Sequence, residues 1–274
     1  MSAPDAVTPA EQSSIAARNA GVGAERPVAA ANGIKAAATT YHDPFLSPAG
    51  PIGRFFYESL YALSTIMFGM LFRTRVTGAN VVPRNGPFLL IANHGSYLDP
   101  PMLGHTCYRR RLHYLAMSGL FRFPPFRWWI SSLGAIPIER IGNAGPGLKA
   151  SLKCLSEGHG LVVFPEGSRS PDGELQRFKR GVMLVIRRAK APVVVAGIAG
   201  AFDCWPIFKK LPRLRPIWIH YTTWRWPEGA DEDEALEHLY QTVRGAMDVA
   251  ERGWRRIGGK EIQPRTFKVE DFPD

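Results

Sequence analysis

A histidine and an aspartate five residues apart open the chemistry of this chain. His94 and Asp99 lie in the segment Ile91-Ala-Asn-His-Gly-Ser-Tyr-Leu-Asp-Pro100, directly after an apolar run. On a continuous helix that separation would put them on different faces, but across a turn from strand to helix they can meet. Asp99 has two readings. It can cap a helix that begins at Pro100, or it can hold the tautomer of His94 and stabilise the imidazolium. In the second case the pair is a general base for a hydroxyl proton. The chain has no Gly-x-Ser-x-Gly turn to present a serine nucleophile, so the hydroxyl would belong to a substrate.

Two further stretches offer groups for an anion. Gly134-Ala-Ile-Pro-Ile-Glu-Arg140 reads as an edge strand ending in Glu139 and Arg140. The planar fork of arginine suits two phosphate oxygens, although a surface ion pair with Glu139 explains the same residues. Val163-Phe-Pro-Glu-Gly-Ser-Arg-Ser170 follows another apolar run. Its Pro165 and Gly167 force a turn that presents Glu166, Ser168 and Arg169, together with backbone N–H groups.

The elements that must position these residues are short apolar runs alternating with helical patterns. Strands are expected at 88–92, 113–117, 161–164, 193–198 and 217–221, and helices at 100–106, 120–132, 147–157, 180–190 and 231–252. Buried continuous strands alternating with helices predict an α/β fold: a mixed, mostly parallel sheet flanked by helices. The six carboxylates between Glu228 and Glu237 mark the start of the last helix, where negative charge complements the macrodipole. The expected organisation is a disordered extension over 1–45, a membrane-associated helical segment over 46–78, a catalytic domain over 79–255 and a tail over 256–274.

Together the three stretches resemble the glycerophospholipid acyltransferase family, which includes the 1-acylglycerol-3-phosphate acyltransferases. His94 and Asp99 match its His-x4-Asp motif, Glu139 and Arg140 resemble the end of its substrate-binding block, and Phe164 to Arg169 look like its Phe-Pro-Glu-Gly-(Thr/Ser)-Arg block. Phe178-Lys-Arg-Gly181 is similar to the segment that follows. Ala191-Pro-Val-Val-Val-Ala-Gly197 departs from the fourth block, with Ala196 where a second proline is common. The resemblance spans roughly residues 80–200. It implies catalysis by His94 and Asp99 and substrate binding by Glu139, Arg140, Glu166, Gly167, Ser168 and Arg169. The donor it implies is acyl-CoA or acyl carrier protein, acting as co-substrate with no cofactor and no metal, and the acceptor is a lysophospholipid. The leading acceptor is 1-acylglycerol 3-phosphate. Glycerol 3-phosphate, a lyso-ornithine lipid and other lyso-lipids are alternatives with unchanged chemistry.

The bulk properties bear on the partner. With 34 Lys+Arg against 24 Asp+Glu, the net charge of +10 suits an anionic surface. A basic, non-catalytic membrane-binding or nucleic-acid-binding protein would share that charge but not the spacing of His94, Asp99 and Glu166. The reading adopted is a membrane surface, with no nucleic acid. The segment 55–72 is the most lipophilic, yet only the 14 residues from Ser59 to Phe72 are free of charge, short of the ~20 a helical span needs. A buried core helix and a helix lying in the bilayer surface both fit. Residues 121–129 have the aromatic and basic composition of an interfacial anchor, and Arg109 to Arg111 suit either the membrane or the phosphates of CoA. Three widely spaced cysteines and no secretory signal imply a reducing compartment. The expected location is the cytoplasmic face of the inner or plasma membrane.

Overall fold

A computed structural model of the chain describes residues 66–107, 112–123, 134–138 and 145–257, together with Ser59, Ala62, Leu63, Arg110, Arg127 and Ile130. The expected extension over 1–45 and the tail beyond 257 lie outside the described residues, as do Glu139 and Arg140. Among the described residues seven strands form one sheet: β1 (Arg75–Thr77), β2 (Phe88–Ala92), β3 (Leu112–Met117), β4 (Ala135–Ile138), β5 (Gly160–Val163), β6 (Val193–Ala199) and β7 (Trp218–Trp224). Their order is β1-β7-β6-β2-β5-β3-β4. Every neighbouring pair is parallel except β6 and β7, which run antiparallel with Val193 opposite Trp224. The mixed, mostly parallel sheet expected from the sequence is the one observed, with β4 at an edge.

The apolar character of β2 follows from its place at the centre. Successive side chains of a strand point to opposite faces, and both faces are covered. Phe88, Leu90 and Ala92 pack on one side with Met102 and Leu103 of α1 (Asp99–Thr106). Leu89 and Ile91 pack on the other, against α2 (Gly145–Ser156), α3 (Gly181–Ala189) and α5 (Glu232–Arg256). A short helix, α4 (Ala201–Cys204), follows β6. The helix α5 lies so close to β6 that a Cβ on Gly197 would come within 2.2 Å of the Ala246 backbone. Glycine is required there to bring helix and strand together.

The acidic cluster does start α5. The Asp231 carboxylate accepts from the N–H groups of Asp233 and Glu234 at 2.9 Å, and Glu234 accepts in return from the Asp231 N–H at 3.0 Å. This reciprocal arrangement satisfies N–H groups that a helix start leaves without intrahelical partners. Exposed ion pairs from Arg180 to Asp233 and from Arg187 to Glu232 join α3 to α5 and contribute little.

Three expectations are corrected. The sheet begins with β1, ahead of residue 79. Phe72 is also core, 2% exposed, and its carbonyl accepts from the Ile217 N–H at 3.0 Å. The helix expected over 120–132 does not begin at 120: Ser118–Phe121 is a 3-10 turn, Arg127 and Ile130 are helical, and most of the span lies outside the described residues. Arg110 is committed to neither a membrane nor CoA: it donates to the carbonyls of Pro83, Gly86 and Gly158, bracing the loops that enter β2 and β5. Arg109 and Arg111 lie outside the described residues.

Before Phe72 the chain is helical over residues 66–71, and Phe68 packs with Phe72 on the core. Its other face is apolar and open: Leu63, Ile66, Met67 and Met70 are 46–75% exposed. Among the described residues no helix is long and apolar enough to cross a membrane.

Candidate active site

Because β2 and β5 are parallel neighbours, their C-terminal ends open at the same edge, where α/β sheets place ligands. The loop after β2 carries His94 and Asp99; the loop after β5 carries Glu166 to Arg169. Asn93 sets the first loop on the sheet. Its carboxamide accepts from the Ile198 N–H at 2.8 Å and donates to the Ile198 carbonyl at 3.0 Å, extending the β2–β6 pairing by one side chain.

His94 is held from four directions. Its N–H donates to Glu166 Oε1 at 2.7 Å, and its carbonyl accepts from the Ser170 N–H at 2.7 Å. Its ring stacks on Phe164 with centroids 4.0 Å apart. Its Nδ1 lies 2.8 Å from Asp99 Oδ2. A carboxylate can only accept, so the proton between them sits on Nδ1 and Nε2 carries the free lone pair. The His94 side chain keeps 18% of its surface exposed while Asp99 keeps 1%. The imidazole is partly open to solvent and the carboxylate is not.

Asp99 is not the helix cap. The N-cap of α1 is Leu98, and Asp99 is the first helical residue. Its Oδ2 turns back to accept from the N–H groups of Gly95 and Ser96, both at 2.8 Å. Three donors converge on one carboxylate oxygen, which locks the turn.

Glu166 also departs from its expected place on the substrate. It is 4% exposed, and its oxygens accept from the backbone N–H groups of His94 and Gln176 at 2.7 and 3.0 Å. Burial pushes its carboxyl up to about 7, against those two hydrogen bonds and with help from the negative charges of Asp99 and Asp172. Glu166 therefore ties the two loops together. The turn beyond it faces outward: Gly167 (φ +75°) and Ser168 are exposed. A Cβ on Gly167 would fall within 2.9 Å of the Lys179 side chain, so that side chain lies over the turn. The Arg169 guanidinium lies 3.8 Å from the centroid of the Tyr97 ring.

Of the expected residues, the structure brings together His94, Asp99, Glu166, Gly167, Ser168 and Arg169. Glu139 and Arg140 lie beyond β4, outside the described residues. Sequence reasoning missed Asn93, Tyr97, Phe164 as a ring partner, Gln176 and Trp205. Asn93 had the one available signal, its place directly before His94. Among the described residues no group of three His, Cys, Asp or Glu side chains could hold a metal ion.

Residues 73–199 match the family model described as Acyltransferase. The chain is 30% identical over 130 residues to the 1-acyl-sn-glycerol-3-phosphate acyltransferase of Bacillus subtilis, covering 47% of this chain and 64% of that one. It is 27% identical over 167 residues to the chloroplastic enzyme of that name from Arabidopsis thaliana, covering 60% of this chain and 46% of that one. The match to the family model covers a little under half of the chain. The matched region runs from just before β1 to the end of β6, so it contains both loops and leaves β7 and α5 outside. The chain spans about half the length of several acyltransferase relatives it matches. Its fold is similar to the crystal structure of the 1-acyl-sn-glycerophosphate acyltransferase from Thermotoga maritima, with a TM-score of 0.59 and 22% identity over 76% of this chain and 82% of that one.

Proposed function

We propose that this protein transfers a fatty acyl group from acyl-CoA to the free hydroxyl of a lysophospholipid, with 1-acylglycerol 3-phosphate as acceptor and phosphatidic acid as product. The observation that carries this reading is the His94–Asp99 pair, 2.8 Å apart, beside a turn that exposes Gly167 and Ser168 and continues into the half-buried Arg169. In this mechanism Nε2 takes the proton as the acceptor oxygen attacks the thioester carbonyl. The C–S bond then breaks, and the proton passes to the departing CoA thiolate. Asp99 stabilises the imidazolium formed on the way, and no acyl-enzyme intervenes. Positioned general-base catalysis of this kind contributes ~10²–10⁴-fold. Arg169, with Arg140 and the backbone of Gly167 and Ser168, holds the acceptor's phosphate. Acyl carrier protein is the alternative donor, since the thioester is the same.

The proposed setting is the cytoplasmic face of a membrane. Leu63, Ile66, Met67 and Met70 recur at helical spacing with open side chains, as on a helix lying in a bilayer surface. The loop between α4 and β7 exposes Leu211 by 79% and Leu214 by 60%, among Lys209, Lys210 and Arg213. Cations beside exposed apolar groups suit anionic headgroups, at ~1 kcal/mol per basic residue. The three cysteines are free, buried thiols, in keeping with a reducing compartment.

The test is a turnover assay with labelled acyl-CoA and a panel of lyso-lipids on anionic vesicles. The expected result is CoA release and highest turnover with 1-acylglycerol 3-phosphate. Equal turnover with an acceptor lacking phosphate would overturn the acceptor assignment, and absence of transfer to every lyso-lipid would overturn the activity.

A further inference from the structure

Arg169 is positioned in an unusual way for a residue at the mouth of a site. Arg169 is half-buried, with the central carbon of its guanidinium 3.8 Å from the Tyr97 ring centroid. No carboxylate among the described residues pairs with it. A carboxylate would hold the side chain equally well, but it would use two N–H donors and cancel the charge. An aromatic face holds a cation through the ring quadrupole and leaves the five N–H donors of the fork unspent.

Tyr97 is itself fixed. Its N–H donates to the Trp205 carbonyl at 3.3 Å, and its ring leans on the Trp205 ring with centroids 5.3 Å apart. The same carbonyl accepts from Ser96 Oγ at 2.8 Å, and the Trp205 indole N–H donates to the Lys209 carbonyl at 2.9 Å. Tyr97 also stands inside the turn whose Gly95 and Ser96 N–H groups bind Asp99. One short turn therefore carries both the base and the platform under the anion-binding arm, at a set offset from each other. Yet Tyr97 is 42% exposed, more than packing alone requires of a ring.

We propose that Tyr97 is a positioning residue that determines acceptor specificity. Its ring parks Arg169 with the charge available to the phosphate of the acceptor, so the enzyme selects anionic over neutral acceptors. The proposal rests on the reading of Arg169 as the anion-binding arm.

Four variants test it: Tyr97→Leu, Tyr97→Phe, Arg169→Met and the Tyr97→Leu/Arg169→Met double variant. Each is assayed with 1-acylglycerol 3-phosphate and with neutral 1-acylglycerol in mixed micelles. Tyr97→Leu is expected to raise KM for the anionic acceptor roughly five- to ten-fold, the scale of one cation–π contact. The turnover number, the donor KM and the neutral-acceptor KM should stay within about two-fold. Tyr97→Phe keeps the ring face and should restore the wild-type KM. Arg169→Met should raise the anionic KM further, and the double variant should match it, because Tyr97 acts through Arg169.

Additive effects in the double variant, equal effects on both acceptors, or loss in turnover number with KM intact would each overturn the proposal. If Arg169→Met leaves the anionic KM unchanged, the reading of Arg169 falls and the proposal with it. If the wild type turns over no lyso-lipid, calorimetric titration with dodecyl phosphate and dodecanol decides separately. Weaker phosphate binding by Tyr97→Leu, restored in Tyr97→Phe, supports the proposal without the activity; unchanged binding overturns it.

Discussion

The two turns at the mouth of the site sit on neighbouring parallel strands and are built on opposite plans. In the turn after β2, hydrogen bonds are spent in advance: Asp99 Oδ2 receives three donors, and the backbone of His94 is pinned on both sides. In the turn after β5, Gly167 and Ser168 are exposed and Arg169 rests on a ring. The contrast suits the roles proposed for the two turns. Proton transfer needs a base whose tautomer and direction are set before substrate arrives. An anion pocket needs donors that nothing else has used. Glu166 joins the two plans, standing on the second loop with one carboxylate oxygen spent on the first and the other on Gln176.

The sharpest way to break the comparison is at the base. His94→Ala is expected to lower turnover by ~10²-fold or more while circular dichroism and vesicle binding stay unchanged; retained turnover would show that the rigid turn serves another purpose. Asp99→Asn should be nearly as damaging, because an amide offers Nδ1–H a weaker acceptor and can leave the wrong tautomer. A loss of about 10²-fold in turnover number, with substrate KM little changed, is the expected kinetic result.

The link between the turns is tested at Glu166. A carboxyl raised to about 7 from an unfolded value near 4.5 binds its proton more tightly in the fold. Its contribution is complete below about pH 4.5 and fades as pH rises to 7, at up to ~1.4 kcal/mol per pH unit. Glu166→Gln places one N–H donor against a backbone N–H and so costs about 1–3 kcal/mol. It should also remove that slope. Thermal melts of both proteins from pH 4.5 to 7.5 should converge as pH rises; parallel curves would show that Glu166 does not titrate in this window.

The smallest effect is expected outside both turns. Replacing Leu211 and Leu214 together by serine should weaken sedimentation with anionic vesicles by about three- to ten-fold, since each buried leucine contributes at most ~1.5–3 kcal/mol. Transfer to a short-chain, monomeric acceptor should be unaffected. Unchanged sedimentation would remove that loop from the membrane contact.

Legibility differed by element. β2 was readable to the residue, because a central strand covered on both faces must be apolar throughout. β1 was not: three residues, Arg75 to Thr77, carry no pattern, and they are a strand only because β7 lies beside them. β7 ran further than expected, to Trp224, since its pairing with β6 continues through the polar Thr222 and Thr223. Within the site, residue types marked His94, Asp99 and the 166–169 turn. They did not show that Glu166 points inward or that Asp99 faces back along the chain. Both directions are set by backbone N–H groups of other residues, which no side-chain pattern encodes.

By itself, then, the sequence determined the alternation of apolar strands with helices, the start of α5 at its acidic cap, and the loops that hold the chemistry. Those are local properties, carried by side-chain period and by capping and turn residues. Strand order, the antiparallel β6–β7 pair and the division of the loops into a spent turn and an open one were decided only by tertiary structure. The physical reason is that each depends on which distant backbone groups come within hydrogen-bonding reach. The stack of Arg169 on Tyr97 is of the same kind: 72 residues apart in sequence, the two meet because β2 and β5 are neighbours.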